Sequence, residues 1–234
     1  MPSSFKVLLE GLSAMLNRRG LKVLGNVTEG ATTRRLIFEL CRGSQISLQP
    51  EFGFHLQKDR TVLVAWRTAL RWPNAEEMLR DLRPPSPYGP EVLTPEVVEA
   101  RNMLYPIAQL LVCDDTAYFT RASPVRFRPS EFNTIPDLIA NVVENLVEKV
   151  APNFSSYCEI EELCRVVVEP EAKSRLLMPP MNVAAILVAA GKRHEFEAWR
   201  EAHRKGFAGA PVWRLKVKER DEQYMSSLQG RLPH

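Results

Sequence analysis

Two stretches of the sequence interleave aromatic and basic residues, which are the side chains best suited to contact another molecule. The residues are Trp66, Arg67, Arg71 and Trp72 in the first stretch, and Tyr118, Arg121, Arg126 and Arg128 in the second. Tryptophan, tyrosine and arginine dominate protein–protein interfaces because they combine a large buried area with polar groups. The same side chains stack on single-stranded nucleic-acid bases, and a strand end followed by a loop gives a similar pattern. We predict that these residues bind a protein partner, with the other two interpretations left open.

His194 begins a His-Glu-Phe-Glu-Ala run that starts like the helix of a zinc protease. That motif needs a second histidine four residues later, where this chain has Ala198. His203 lies more than two helical turns beyond His194, which is a poor spacing for one set of metal ligands. The sequence therefore predicts solvent-exposed histidines and no metal centre.

Clustered carboxylates are the other groups that could do acid–base or metal chemistry. They are Asp114-Asp115 and the group Glu159, Glu161 and Glu162. Such clusters can act as paired acid and base, but acidic residues in a turn and at a helix start also have ordinary structural roles. We assign no catalytic residue to them, and a hydrolase or nuclease-like enzyme remains an alternative.

Neither the cysteines nor the glycines fall in a known reactive-site motif. The 4 cysteines, at positions 41, 113, 158 and 164, match no common zinc spacing, and we expect reduced thiols packed in the core. None of the 11 glycines falls in a phosphate-binding loop motif. The sequence thus predicts no catalytic residue, no metal and no cofactor.

Composition narrows the class of protein. The chain has 234 residues, 45% of them hydrophobic, and its net charge of +3 is too small to imply a strong field for nucleic acid. The N-terminus does not read as a secretory signal, and the apolar run at residues 183–190 is too short to cross a bilayer. We predict a cytoplasmic protein without a membrane partner, and the small charge favours a protein partner over nucleic acid.

The first part of the chain predicts a helix followed by a β-meander. Residues 5–16 carry apolar side chains at helical spacing, and Gly20 can end that helix. Apolar and polar residues then alternate over about four strands in residues 36–66, with Pro50 at an edge or bulge. We assign residues 1–72 to the helix and the meander.

The middle of the chain predicts a short helix, a stiff loop and a possible hairpin over residues 73–133. Asn74 can cap the helix with Glu77 three residues later, and Leu79 and Leu82 would face the sheet. Residues 84–90 form a proline-rich loop. Residues 109–113 and 116–120 could pair as a hairpin that completes the sheet.

The last part, residues 134–234, is predicted to be helical. An apolar stripe runs from Ile135 to Val150 and ends at Ala151-Pro152, and further helices follow Ser156, Asn182 and His194. The charges after Lys192 are typical of a solvated helix face. The fold class is α+β: one domain over residues 1–234 with an N-terminal helix, an antiparallel sheet of four to six strands and a C-terminal helical layer.

The order of these elements resembles a known pattern. The motifs are Phe5-Lys6-Val7-Leu8-Leu9, Arg19-Gly20-Leu21-Lys22-Val23-Leu24-Gly25, Phe52-Gly53-Phe54-His55, Ile135-Pro136-Asp137-Leu138-Ile139, Val150-Ala151-Pro152-Asn153-Phe154, Glu159-Ile160-Glu161-Glu162-Leu163, Ala184-Ala185-Ile186-Leu187 and Ala190-Gly191-Lys192-Arg193. They resemble a bacterial domain-of-unknown-function family of small α+β proteins, some of which are similar to immunity proteins encoded beside secreted toxins. The resemblance carries over no catalytic residue. It implies a non-catalytic module that binds a protein partner and could neutralise a toxin.

Overall fold

The structure is a computed structural model, and it describes residues 3–29, 32–81, 108–110, 124–169, 176–206 and 212–231. The chain divides into two compact units, each assembled from two stretches of sequence. Met1–Arg71 and Gln109–Glu159 form what we call the sheet unit, and Trp72–Ala108 and Ile160–His234 form the helical unit. The predicted α+β class is confirmed. A single domain over residues 1–234 stays a prediction.

The described strands and helices follow one another along the chain in this order. The strands are β1 (Lys22–Glu29), β2 (Thr33–Glu39), β3 (Cys41–Arg42), β4 (Ser47–Leu56), β5 (Val62–Arg71), β6 (Ala108–Leu110), β7 (Val125–Phe127) and β8 (Leu176–Leu177). The helices are α1 (Ser3–Arg18), α2 (Pro73–Asp81), α3 (Ile135–Asn145), α4 (Ala151–Phe154), α5 (Ile160–Val168), α6 (Pro180–Ala189), α7 (Arg193–Lys205) and α8 (Val212–Gln229). Two 3₁₀ turns (Pro129–Thr134 and Ser155–Cys158) and a π-helical turn (Leu146–Val150) complete the path.

The sheet unit begins with the predicted amphipathic helix. Leu9, Leu12 and Leu16 of α1 are buried, because the helical period places them on one stripe. The helix ends where Gly20 adopts a φ of +76°, a left-handed conformation that glycine tolerates without a steric penalty. Helix α1 then contacts β1 and β2 of the sheet.

The predicted antiparallel meander is confirmed, and it consists of β1, β2, β4 and β5, each antiparallel to the next. Strand β1 lies before residues 36–66 and was not predicted, whereas β4 covers two of the predicted strands. Pro50 lies in β4 at a break in the ladder on one side of that strand. The β2–β4 ladder stops at Ile37 paired with Glu51, and the β3–β4 ladder starts at Cys41 paired with Leu48. A proline, which has no N–H to donate, is tolerated at this irregularity.

One face of the meander, the core face, is apolar. Phe38 and Phe52 stack with ring centroids 6.0 Å apart, and Phe52 meets Trp66 at 6.3 Å. These residues alternate with the polar ones because successive side chains of a strand point to opposite faces. The core face therefore supplies the aromatic part of the sheet unit's core.

The apolar stripe that starts at Ile135 is confirmed, but its predicted end at Ala151-Pro152 is wrong. The chain continues through the π-helical turn into α4, and Pro152 lies in the first turn of that helix. A proline is tolerated there because the missing N–H would have no partner in a first turn. The helical path consequently extends to Phe154, whose ring is buried against Tyr157.

The helical unit is organised around α6. Residues 183–188 of this helix are all buried, as expected for a helix that is apolar on every side. Helices α2, α5, α7 and α8 each contact it. Helix α2 packs on α6, and that Leu79 faces the sheet stays a prediction. The helix begins at Pro73, so Asn74 lies in its first turn rather than at the predicted N-cap, and the Glu76 carboxylate accepts a hydrogen bond from the Trp72 N–H.

The charged tail is not simply a solvated helix face. Arg200 of α7 is only 8% exposed and donates to Glu222, Ser226 and Gln229 of α8, at 2.7–3.2 Å. Arg204 donates to both carboxylate oxygens of Glu222, at 2.7 and 2.8 Å. The arginines hold the pKa of Glu222 at about 2, against its ordinary value of 4.5. These charges join two helices.

Several predictions fall on residues outside the described ranges. They are Leu82, the loop at residues 84–90, Cys113, Asp114-Asp115, Tyr118, Arg121 and nearly all of the hairpin at residues 109–120.

Candidate functional site

A three-by-three grid of side chains occupies the face of the sheet opposite the core face. We call it the groove face. The cross-strand register of β2, β4 and β5 gives the rows Thr33, His55 and Leu63; Arg35, Gly53 and Ala65; and Ile37, Glu51 and Arg67. Residues directly opposite one another in antiparallel strands share a face, so these nine positions form one surface.

Gly53 occupies the centre of this grid. Because it has no side chain, the sheet carries a depression there, and the neighbouring side chains become its walls. The result is an open groove of about 450 Å³, lined also by Pro124 from the start of the β7 segment. Gly53 has no positive φ, and a Cβ built on it would lie 3.9 Å from the Ala65 carbonyl oxygen. Gly53 therefore contributes to the groove by leaving space above the sheet, and its backbone conformation does not require a glycine.

A carboxylate held between two arginines forms one wall of the groove. Glu51 is 6% exposed, and each of its carboxylate oxygens accepts hydrogen bonds from a different arginine. Arg35 Nη1 donates to Oε1, while Arg67 Nε and Nη2 donate to Oε2 at 3.0 and 2.8 Å. Arg67 stands directly opposite Glu51, whereas Arg35 reaches it diagonally past Gly53. Two guanidinium groups thus flank one carboxylate in this wall.

The opposite end of the groove is polar and exposed. Thr33 Oγ1 and His55 Nδ1 lie 2.8 Å apart on neighbouring strands. His55 also lines a second depression, of about 510 Å³, above the β4–β5 turn that contains Asp59. There the Thr61 hydroxyl and N–H donate to Asp59 and lower the pKa of its carboxyl group.

The structure separates the residues that were predicted to bind a partner. Trp66 is 5% exposed on the core face, and Trp72 is 1% exposed at the start of the helical unit, so both contribute to cores. Arg67 lines the groove, and exposed Arg126 stands opposite Leu63 on the same face.

Arg71 is half-buried at the end of β5, and Arg128 is exposed after β7. Arg128 is followed by the 3₁₀ turn, where its N–H donates to the Glu131 carboxylate at 2.8 Å. Tyr118 and Arg121 lie outside the described residues. Partner binding by the described arginines stays a prediction.

The histidines differ from one another. His194 is exposed, as predicted. The prediction that His203 is also solvent-exposed is wrong: its ring stacks on Trp199 at a centroid distance of 5.3 Å, and its Nε2 lies 3.5 Å from buried Asp221. Helix packing, which the spacing from His194 does not reveal, covers this ring.

The acidic cluster and the cysteines have structural surroundings. Glu162 pairs with Arg165 and Glu161 with Lys192, so these carboxylates do not converge on one point. Cys158 and Cys164 are buried free thiols, which confirms their predicted burial. Among the described residues no three His, Cys, Asp or Glu side chains are placed to hold a metal ion.

Protein families, characterised proteins and solved structures offer no match to this chain. The resemblance to immunity-protein-like α+β proteins therefore stays a prediction, as does a cytoplasmic location. Of the helices in the described ranges, none has both the length and the apolar character needed to cross a bilayer.

Sequence reasoning missed most of the groove. Gly53 could have been noticed, because a glycine between two phenylalanines inside a strand indicates that another backbone or a ligand approaches the strand closely. Arg35 and Glu51 carried a weaker signal, because they occupy polar positions in alternating strands. Their convergence depends on the register of β2 with β4, which the sequence pattern does not fix to the residue.

Proposed function

We propose that this protein is a non-catalytic binding module whose groove holds a partner segment with one acidic side chain among apolar ones. The observation that carries the proposal is the groove itself: a depression over Gly53 with an apolar floor and a wall of two arginines around one glutamate. Its volume of about 450 Å³ lies within the range of about 300–1,000 Å³ that is typical of small-molecule binding pockets.

The charge of the wall favours an acidic partner group. Arg35 and Arg67 are held in place by Glu51, so little side-chain entropy is lost when a ligand docks against them. A guanidinium group suits a carboxylate because its planar N–H donors match the two oxygens. Guanidinium donors also give an electrostatic preference for an anionic group.

The floor favours apolar neighbours of that acidic group. Leu63 and Ala65 are half-buried beside Gly53, and they offer apolar surface that a partner side chain would remove from water. An extended partner segment alternates its side chains, so an acidic residue and an apolar one two positions away can enter the groove together. The resemblance to immunity proteins makes a secreted toxin the first kind of partner to examine.

Selection of peptides against the intact protein tests this proposal. A phage-displayed library of random peptides is selected on the wild-type protein and counter-selected on Gly53→Val, which places a side chain in the depression. We expect the surviving peptides to contain an acidic residue near apolar ones and to bind Gly53→Val at least about tenfold more weakly by fluorescence polarisation. Valine fits a strand, and the nearest atom to its Cβ is at an ordinary contact distance, so the fold should persist.

Gly11→Ala serves as the matched control, because residue 11 is exposed on α1 with open space around it. Each selected peptide is also made with glutamine in place of its acidic residue. Failure to enrich peptides that distinguish the wild type from Gly53→Val would contradict the proposal. So would unchanged binding of the glutamine peptides, or tighter binding of a single-stranded oligonucleotide at this site.

A further inference from the structure

Cys41 and Cys158 lie face to face within the sheet unit although 116 residues separate them in the sequence. Cys41 belongs to β3, and Cys158 is the last residue of the 3₁₀ turn Ser155–Cys158. Their Sγ atoms are 3.8 Å apart, and the Cys158 sulfur also lies 3.8 Å from the Cys41 carbonyl oxygen. Each sulfur would have to move by only about 1 Å to reach the bonding distance of about 2.05 Å.

A glycine makes this close approach possible. A Cβ on Gly43 would lie 2.1 Å from the carbonyl oxygen of Cys158, so only glycine lets the two backbones come this near. The Gly43 N–H donates to the Ile46 carbonyl at 2.8 Å, and Cys41 pairs with Leu48 of β4. Cys41 is consequently held on a closed β3–β4 turn opposite Cys158.

The surroundings of the pair favour a reactive sulfur. Hydrogen bonding with the Cys41 thiol and with the backbone at Gly43 and Leu48 lowers the pKa of Cys158. The pKa of Cys41 is raised because its thiol donates to Cys158 and is partly buried. Thiolate is the form of cysteine that attacks disulfides.

Cys164 provides the contrast within the same chain. It is a buried free thiol of α5 in the helical unit, and burial raises its pKa to about 11. A buried thiol with a raised pKa is expected to be inert toward disulfides.

We propose that Cys41 and Cys158 form a reversible disulfide when the protein meets a low-molecular-weight disulfide such as oxidised glutathione. The Cys158 sulfur attacks the glutathione disulfide and releases one glutathione. The Cys41 sulfur then attacks the Cys158 sulfur and expels the second glutathione. Overall, two protein S–H bonds and the glutathione S–S bond break, while one protein S–S bond and two glutathione S–H bonds form. The protein is oxidised by two electrons and glutathione disulfide is reduced by two.

Peptide mapping of the folded full chain tests the proposal. The protein is incubated with oxidised glutathione, its remaining thiols are alkylated, and it is digested with trypsin without reduction. We expect the peptide 36–42 to be linked to the peptide 150–165, at least about tenfold above any other cross-link, and dithiothreitol to remove the link. Because peptide 150–165 contains both Cys158 and Cys164, Cys164→Ser assigns the bond: the link must persist in that variant and disappear in Cys41→Ser.

The peptide map of the wild-type protein still tests the proposal if Cys41→Ser fails to fold, because that map needs no variant. The proposal is overturned if oxidation leaves both peptides separately alkylated, or if the reaction stops at a glutathione adduct of either cysteine. It is also overturned if the link vanishes in Cys164→Ser, since Cys164 would then be the partner of Cys41.

Discussion

Each unit of the protein contains a glutamate held between two arginines, but the two clusters have different surroundings. Glu51 lies on the groove face of the sheet with Arg35 and Arg67. Glu222 lies between α7 and α8 with Arg200 and Arg204. The ionic groups are the same, so the difference between the clusters must come from their neighbours.

Around Glu222, the neighbouring side chains complete the hydrogen bonding. Ser226 and Gln229 accept from Arg200 at 2.8 and 2.7 Å, and together with Glu222 they engage its guanidinium group with α8. Next to Arg35, by contrast, the grid position of Gly53 has no side chain. An ion cluster therefore acts as a helix-to-helix connection where side chains pack around it, and as the wall of a groove where one position beside it is empty.

The largest expected effect is the loss of Glu222. Glu222→Ala leaves Arg200, which is 8% exposed, without its carboxylate partner, and we expect the free energy of unfolding to fall by about 3 kcal/mol in urea denaturation. Glu201→Ala is the control, because its 56% exposed side chain makes long ion pairs with Arg204 and Lys205, at 3.9 and 3.6 Å. That change should cost less than about 0.5 kcal/mol. Equal losses of unfolding free energy in the two variants would show that the Glu222 cluster stabilises the protein no more than an exposed ion pair does.

The second effect concerns Glu51. Glu51→Gln removes the carboxylate charge that pairs with two neighbouring guanidinium groups, and we expect a loss of about 2 kcal/mol in the same urea measurement, because both arginines keep some solvent contact. The variant should also bind the acidic peptides selected on the groove several-fold more tightly, since the wall loses its negative charge. Glu161→Gln, at an 80% exposed side chain, is the control. Weaker peptide binding by Glu51→Gln would argue against an electrostatic role for the wall.

The third effect is the pH dependence of the Glu222 cluster. The arginines lower the pKa of Glu222 from 4.5 to about 2, so its stabilising contribution is complete above about pH 4.5 and is lost as the pH falls toward 2. Because a fifth of this side chain is exposed and solvent screens the pair, we expect a loss of about 1.5 kcal/mol. Urea denaturation between pH 5 and pH 2 measures it, with Glu222→Gln as the reference. Parallel pH curves for the two proteins would contradict the assignment.

The smallest effect compares two threonines of the sheet unit. The Thr68 hydroxyl is fully buried and has no hydrogen-bond partner within the described part of the chain, whereas the Thr61 hydroxyl donates to Asp59 at 2.7 Å. Thr68→Val should therefore stabilise the protein by about 1 kcal/mol, because it removes an unsatisfied polar group. Thr61→Val should destabilise it by about 1 kcal/mol. Thermal denaturation of both variants checks the opposite signs, and a loss of stability in Thr68→Val would indicate a partner for that hydroxyl.

Periodicity predicted the elements of the fold because it reports directly which side of an element is buried. The stripe of α1, the alternation in β2 and β4, and the stripe of α3 all follow from apolar spacing. Periodicity did not predict the ends of two helices, because local hydrogen bonding determined where those helices end or begin. The π-helical turn carries the chain past Pro152, and the helix predicted to start after Asn74 begins at Pro73, with Glu76 accepting a hydrogen bond from the Trp72 N–H.

The candidate site was predictable only in fragments. Arg67 was singled out with Trp66 because the two are adjacent in sequence, yet neighbouring residues of a strand point to opposite faces. The Trp66 ring consequently packs near Phe52 in the core although the residue also borders the groove, while Arg67 forms part of the groove wall. The partners of Arg67 come from two other strands, and nothing local to residue 67 indicates them.

What the sequence determined by itself is the α+β class, the order of helices and strands, and which side chains are apolar enough to be buried, because each of these depends on interactions between residues near in the chain. Only the tertiary structure decided that Gly53 lies at the centre of a groove, that Glu51 and Glu222 each meet two arginines, and that Cys41 lies beside Cys158. Such contacts depend on strand register and helix packing, in which a shift of one residue changes every partner while leaving the periodic pattern intact.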